Sequence, residues 1–198
     1  TRGSPLALYQ ANLVQRLICE ATDRTQQEVI IKILKTSGDT IKGELKDFGG
    51  KGLFTRELEL ALLDGSIDLA VHSMKDVETL RPEELIIAAI LPRADKRDVL
   101  IGAESIAAIP QGARVGTSAP RRAAQMLHHR PDVTVVTYRG NVATRLAKLE
   151  AGEADVTLLA AAGLERLGQS DVGTPLDQEE WLPAPAQGAI GLECLTNN

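Results

Sequence analysis

Aromatic residues make up only 3% of the 198-residue chain: one Trp, two Tyr and two Phe. That is too few for the base-stacking platform of a single-strand nucleic-acid binder. Two cysteines, Cys19 and Cys194, exclude a disulfide framework or a zinc site and point to a reducing, cytoplasmic compartment, with a single bridge between them left open. No stretch approaches the roughly 18 uninterrupted apolar residues of a bilayer-spanning helix, so no membrane association is expected. Residues 1–5 lack the charged, apolar and small-residue order of a secretory signal, and the chain does not open on Met, so a trimmed start is expected. Neither a Gly-x-x-x-x-Gly-Lys-Ser/Thr loop nor a Gly-x-Ser-x-Gly elbow occurs, which disfavours P-loop and serine-hydrolase chemistry. His128 and His129 have no partners at metal-ligand spacing and read as a solvated pair, so no metal is expected. What is present, 43% hydrophobic and 25% charged residues with 17 Gly and 9 Pro, is the composition of a folded globular protein of one large or two small domains.

Charge is distributed unevenly. The net charge is −5, yet residues 112–148 hold Arg114, Arg121, Arg122, Arg130, Arg139, Arg145 and Lys148 against Asp132 alone. A concentrated basic segment in an acidic chain suits a small polyanion, whereas a nucleic-acid binder is usually basic over a broad face.

Helical and strand patterns alternate. Ser4 and Pro5 give an N-cap and first turn, followed by Leu6, Leu13, Val14, Leu17 and Ile18 at helical spacing, with Cys19 on the same apolar side. Residues 29–34, 67–71 and 85–90 read as strands, the last as a buried parallel one, and 53–63 as a helix stopped by Gly65. Residues 91–98 turn to Pro, Arg, Ala, Asp and Lys, as in a crossover between lobes. Beyond it, strands are predicted at 99–101, 113–116, 133–137, 156–160 and 189–194, with helices opened by Pro120 and capped by Asn141. Residues 62–69 and 149–156 echo one another, with Gly65 and Asp68 matching Gly152 and Asp155 at one offset. The expectation is an α/β protein of two related lobes, each a mostly parallel sheet flanked by helices, with ligands bound between them at the carboxyl ends of the strands.

Two constellations could do chemistry. His72-Ser73-Met74-Lys75-Asp76 directly follows a predicted strand, where Asp76 could steady a developing cation or move a proton and Lys75 would help keep it ionised. Thr117-Ser118-Ala119-Pro120-Arg121-Arg122 stands at a predicted helix start, which favours an anion. Arg139-Gly140-Asn141, followed by Arg145, repeats that arrangement, and Gly49-Gly50-Lys51-Gly52 offers a basic turn in the first lobe.

Residues 1–7 (TRGSPLA), 49–54 (GGKGLF), 68–77 (DLAVHSMKDV), 115–118 (VGTS) with Arg121 and Arg122, 139–142 (RGNV) with 144–146 (TRL), and 185–189 (PAQGA) closely resemble porphobilinogen deaminases, also called hydroxymethylbilane synthases, in order along the chain. The resemblance implies a cytoplasmic, monomeric transferase of tetrapyrrole and heme biosynthesis, periplasmic-binding-protein-like in fold with an interlobe cleft. It would condense four porphobilinogen molecules head to tail, with loss of ammonia, on a covalently held dipyrromethane. It implies a discontinuous first domain of residues 1–91 plus 189–198 and a second of residues 92–188. A third domain, whose cysteine anchors the primer, is expected to be missing, leaving this portion inactive by itself. Asp76 matches the catalytic aspartate. Arg2, Ser4, Lys51, Lys75, Thr117, Ser118, Arg121, Arg122, Arg139, Arg145, Arg166, Gln187 and Gly188 match groups around the cofactor. Arg2, Ser4, Phe54, Arg139, Arg145 and Arg166 match groups around the substrate, Phe54 over its ring face. Ala119, Pro120 and Glu78 depart from the family pattern. The alternative is a two-lobed, non-catalytic receptor for small carboxylates.

Overall fold

The computed structural model describes residues 1–36 and 55–197. The chain divides into two compact units, Thr1–Ala94 with Ala189–Asn198, and Asp95–Gly188. Elements are numbered along the chain.

In the first unit, Ser4 caps α1 (Pro5–Ala21), its hydroxyl accepting from the Ala7 N–H at 3.3 Å. The helix buries Gln10, Ala11 and Val14, so a polar residue completes the buried stripe while Leu17 stays 38% exposed. Cys19 is half-buried, and both cysteines are free thiols. Gln10 is buried because its amide meets the Ser73 hydroxyl at 2.9 Å, tying α1 to β1 (Ala70–Ser73). α2 (Arg56–Leu63) presses Leu58 and Leu62 onto Ala70 and onto Leu85 of β2 (Leu85–Ile90).

The strand order is β1-β8-β2, with β8 (Ile190–Leu195) in the centre and antiparallel to both neighbours. This corrects the expectation of a buried parallel strand at 85–90. Among the described residues β2 borders one strand, and Ile86 and Ile90 are 45% and 60% exposed. The strand that separates β1 from β2 arrives from a hundred residues downstream, and the local apolar run carries no trace of its direction. Residues 29–34 also depart from expectation: they join no ladder among the described residues. The Val29 N–H bonds the Thr25 carbonyl at 3.3 Å, and the Val29 carbonyl accepts from the Gln15 amide at 2.6 Å; further on, the Leu34 N–H meets the Thr1 carbonyl at 2.9 Å and the Thr1 ammonium the Lys32 carbonyl at 3.0 Å. β-Branched composition favours a pleated surface only where a neighbour covers it, and Ile30 is 82% exposed.

The second unit is a five-stranded sheet in the order β5-β4-β6-β3-β7: β3 (Asp98–Ile101), β4 (Arg114–Gly116), β5 (Thr134–Val136), β6 (Val156–Ala160) and β7 (Thr174–Pro175). β4 is parallel to β5 and β6, while β3 is antiparallel to β6 and β7. The α/β class therefore holds, but the described pairings are more often antiparallel than parallel. Side chains alternate across the sheet. Leu100, Val115, Val156 and Leu158 pack one way, with Trp181 and with Met126 of α3 (Pro120–His129). Val99, Ile101 and Leu159 pack the other way, with Leu146 of α4 (Val142–Glu150) and Leu164 of α5 (Ala161–Arg166). Covering on both faces explains why β6 is buried at four successive positions, Val156 to Leu159, with no alternation. No helix among the described residues is long and apolar enough to cross a membrane.

The repeat in the sequence has a counterpart in the backbone. α2 and α4 each end on a left-handed glycine, Gly65 at φ 73° and Gly152 at φ 72°. The following N–H groups then turn back to the helix carbonyls, Ile67 to Ala61 and Glu153 to Lys148. A Cβ at either glycine would meet nothing within 4 Å, so the cost of a side chain there is conformational alone. Gly65→Ala and Gly152→Ala are each expected to lose roughly 1 kcal/mol, and nearly the same amount, in urea unfolding.

Candidate functional site

In the first unit the chain turns from β1 into a single 3₁₀ turn, Met74–Asp76, which sets Lys75 and Asp76 at the surface. The Met74 N–H bonds the Ala189 carbonyl at 3.0 Å, pinning this turn to the start of β8. A Cβ on Gly191 would fall 2.0 Å from the Met74 sulfur, so the thioether lies directly on the β8 backbone. Arg2, Ser4, Gln10, Thr55, Lys75 and Asp76 line one concavity. Four of the predicted site residues, Arg2, Ser4, Lys75 and Asp76, are thus brought together. Lys51 and Phe54 lie outside the described residues. Asp76 is exposed at that concavity, where its carboxylate keeps its hydration and can meet an N–H donor or a cation.

The buried acid of this unit is one the sequence reading did not single out. Glu193, 0% exposed on β8, sits between His72, whose Nε2 lies 2.8 Å from Oε2, and Arg81, whose Nη1 donates to Oε1 at 2.9 Å. Burial alone would raise its pKa; His72 and then Arg81 more than offset this and hold the carboxyl below its ordinary 4.5.

The second unit gathers its polar groups at one sheet edge. Because β4, β5 and β6 are parallel, their carboxyl ends lie together, and the Asp98–Ala160 pairing brings the start of antiparallel β3 to the same edge. Here α3 begins without a side-chain cap and carries Arg121 and Arg122 in its first turn, where a cation opposes the helix dipole. Thr117 is buried, its hydroxyl accepting from the Ala119 N–H at 3.2 Å. The Ser118 hydroxyl accepts from the Tyr138 N–H at 2.9 Å, and the Tyr138 hydroxyl donates to the Arg145 carbonyl at 2.8 Å. One buried tyrosine therefore spaces two successive strand-to-helix turns. Asn141 caps α4 through the Thr144 N–H, and Arg145 Nε donates to the Gly140 carbonyl at 2.9 Å.

Asp98, 0% exposed, fixes the middle of this edge. Its carboxylate accepts from Arg122 Nη2 at 2.7 Å, Arg121 Nη2 at 2.7 Å, Gln187 Nε2 at 2.9 Å and Trp181 Nε1 at 3.0 Å. Burial would push its pKa up, but Arg122 and then Gln187 and Trp181 hold it far below the carboxylate range. Arg122 also donates to the Leu158 carbonyl at 2.7 Å and is buried. Arg121 donates to the Leu182 carbonyl. Arg166 donates to the Gly188 carbonyl at 2.7 Å, which holds 187–188 against the end of α5.

The seven cations of residues 112–148 thus sort into two groups. Arg114, Arg130 and Lys148 pair with Asp155, Asp132 and Glu153. Arg121, Arg122, Arg139 and Arg145 stand at the turns after β4 and β5. Burial, and then the repulsion of Arg122 and Arg139, pushes the Arg145 pKa down to about 10, so Arg145 feels these two guanidiniums and still stays charged at neutral pH. Such a cluster suits a ligand with several carboxylates.

Sequence reasoning missed Asp98, Glu193, Arg81, Tyr138 and Trp181. Asp98 lies in the segment read as a crossover, and Glu193 in one read only as a strand. An acid within an otherwise apolar strand is the one signal that could have found Glu193. His128 and His129 are exposed as expected, with His129 stacked on Trp181 at 6.1 Å between ring centres. No cluster of potential metal ligands occurs among the described residues.

The Glu193 contacts give a signed expectation. Its carboxyl binds a proton less readily folded than unfolded, so its contribution is present above pH 4.5 and is lost as pH falls through the lower folded value. At neutral pH, Glu193→Gln should cost about 3 kcal/mol, since it leaves the partly buried Arg81 guanidinium without its carboxylate. Urea titrations from pH 7 down to 3 should show the gap between variant and wild type narrowing with acidity.

Known proteins bear on these residues. The family model described as "Porphobilinogen deaminase, dipyromethane cofactor binding domain" matches residues 1–198. A porphobilinogen deaminase of Sphingopyxis alaskensis is 54% identical over 98% of this chain and 64% of its own length, and one of Nitrobacter hamburgensis is 53% identical over 98% and 62%. The chain therefore spans somewhat less than two thirds of these relatives. Among solved structures, an arginine-transport periplasmic binding protein from Legionella pneumophila shares 16% identity over 96% of this chain and 75% of its own, with a TM-score of 0.48. Whole-length agreement with the family model, at more than half identity to its curated members, assigns this chain to the porphobilinogen deaminase family.

Proposed function

We propose that this chain supplies the polyanion-binding and charge-stabilising groups of an enzyme that condenses porphobilinogen head to tail into a linear tetrapyrrole with release of ammonia. The observation that carries this reading is the guanidinium cluster at the ends of β4 and β5, where Asp98 supplies one negative charge against Arg121, Arg122, Arg139 and Arg145. Porphobilinogen bears an acetate and a propionate, and each unit added to a chain brings two more carboxylates for these cations to take up.

The donor chemistry fits the dipyrromethane cofactor. Arg121, Arg122, Arg139, Arg145 and Arg166, with the Thr117 and Ser118 hydroxyls, would meet its four carboxylates, and Gln187 and Gly188 would border it. When bound, the dipyrromethane supplies the nucleophilic pyrrole carbon to which substrate is joined. Arg2 and Ser4, which share the concavity with Asp76, would orient the acidic side chains of the incoming pyrrole, with Arg139, Arg145 and Arg166. Lys51 and Phe54 keep the roles that the family resemblance gives them.

Asp76 is the catalytic residue of this reading. As the substrate C–N bond breaks and the amine departs as ammonia, positive charge spreads over the azafulvene that remains. The carboxylate accepts from the pyrrole N–H and steadies that charge. Lys75 lines the same concavity. We take residues 1–91 with 189–198 as the family's first domain and residues 92–188 as its second.

Porphobilinogen titrated calorimetrically into the 198-residue chain should bind, and Arg139→Ala should weaken binding about 10- to 100-fold, the worth of a charge-assisted hydrogen bond. Asp76→Asn should bind equally well or better, because it removes a like charge. In a chain extended with the remaining residues of the Sphingopyxis relative, the same variant should lower kcat about 10²- to 10³-fold. Turnover undiminished by Asp76→Asn would defeat the catalytic assignment and leave a carboxylate receptor.

A further inference from the structure

We infer that Asp98 is a positioning residue, which sets the Arg121 and Arg122 guanidiniums in place before any ligand arrives. The inference rests on the reading of those arginines as carboxylate binders and adds a group that touches no ligand itself.

The two arginines open α3, where the helix dipole disfavours both. Arg122 also lies near Arg145, close enough that burial, and then the charges of Arg122 and Arg139, lower the Arg145 pKa. Left alone, four like charges would spread apart and take separate rotamers in water. Asp98 prevents this. Arg122 lies against it with two parallel bonds, Nη2 to Oδ1 at 2.7 Å and Nε to Oδ2 at 3.2 Å, and Arg121 adds Nη2 to Oδ2 at 2.7 Å. The carboxylate plane is itself fixed by groups outside the arginines' helix, by Trp181 Nε1 on Oδ2 at 3.0 Å and Gln187 Nε2 on Oδ1 at 2.9 Å. Gln187 further donates to the Lys96 carbonyl at 2.8 Å, so the carboxylate is anchored to backbone as well. With two positive charges held by one negative, the group keeps a surplus of one, and the ordering entropy of both side chains is spent during folding rather than at binding.

A bare electrostatic role and a positioning role differ in sign. If Asp98 were only a nearby negative charge, removing it would tighten binding of an anion. If it positions the arginines, removal weakens binding although the site becomes more positive. Porphobilinogen is titrated calorimetrically into wild type and Asp98→Asn, each shown by near-UV circular dichroism to keep its buried Trp181 signal. The expected result is at least tenfold weaker binding by the variant; equal or tighter binding overturns the inference alone. A wild type that binds no porphobilinogen overturns the functional reading, and this inference with it. Should Asp98→Asn not fold, Trp181→Phe keeps every charge and removes one bond to Oδ2. It should bind severalfold more weakly, and an unchanged dissociation constant overturns the inference.

Discussion

A carboxylate at zero exposure survives as an anion only when donors replace the water it has lost, and the second unit is organised around meeting that demand for Asp98. Guanidinium, indole and amide groups from α3, from Trp181 and from the return segment at 187 converge on it. Those donors come from positions 121 to 187, so the carboxylate at the start of β3 ties together parts of the chain that sequence separates widely. Ion pairs of this kind are poor sources of net stability, because desolvation consumes much of the Coulombic gain. What they fix is arrangement: one set of bonds satisfies all the groups, and other packings strand a charge.

The same demand explains why the basic segment is not uniform. Arg114 and Arg130 have acid partners at exposed positions, where a pair contributes little and is screened by salt. Arg122 and Arg145 instead lie where water is partly excluded, and there burial, with repulsion between cations added to it, lowers the Arg145 pKa. A protein tolerates such a conflict only if something else relieves it. Asp98 relieves part of it, through its bonds to Arg121 and Arg122.

Sequence patterning revealed the elements better than their pairing. Pro5, Pro120 and Asn141 mark helix starts that the structure places at or beside them, because cap and first-turn chemistry is settled within a few residues. β2 and β6 fall on their predicted runs, yet β2 is an outer antiparallel strand with an exposed face. Its neighbour β8 is brought in by a connection through the whole second unit, and alternation in one strand cannot encode the direction of another. Residues 29–34 fail for a related reason: they have strand composition, but their described backbone bonds go to Thr1, Gln15 and Thr25, none of which lies in a strand.

The candidate site divides the same way. Asp76, Lys75 and the arginines follow strands and stand out as charge among apolar residues, so position and chemistry both mark them. Asp98 and Glu193 were passed over because the meaning of each lies in partners 23 to 121 residues away. The arginines of α3 offer a rule that sequence could have used: cations in the first turn of a helix oppose its dipole and seldom occur without cause. Two together imply a compensating carboxylate below and an anionic ligand above. Only the first of these can come from the chain itself, and Asp98 is where the chain supplies it.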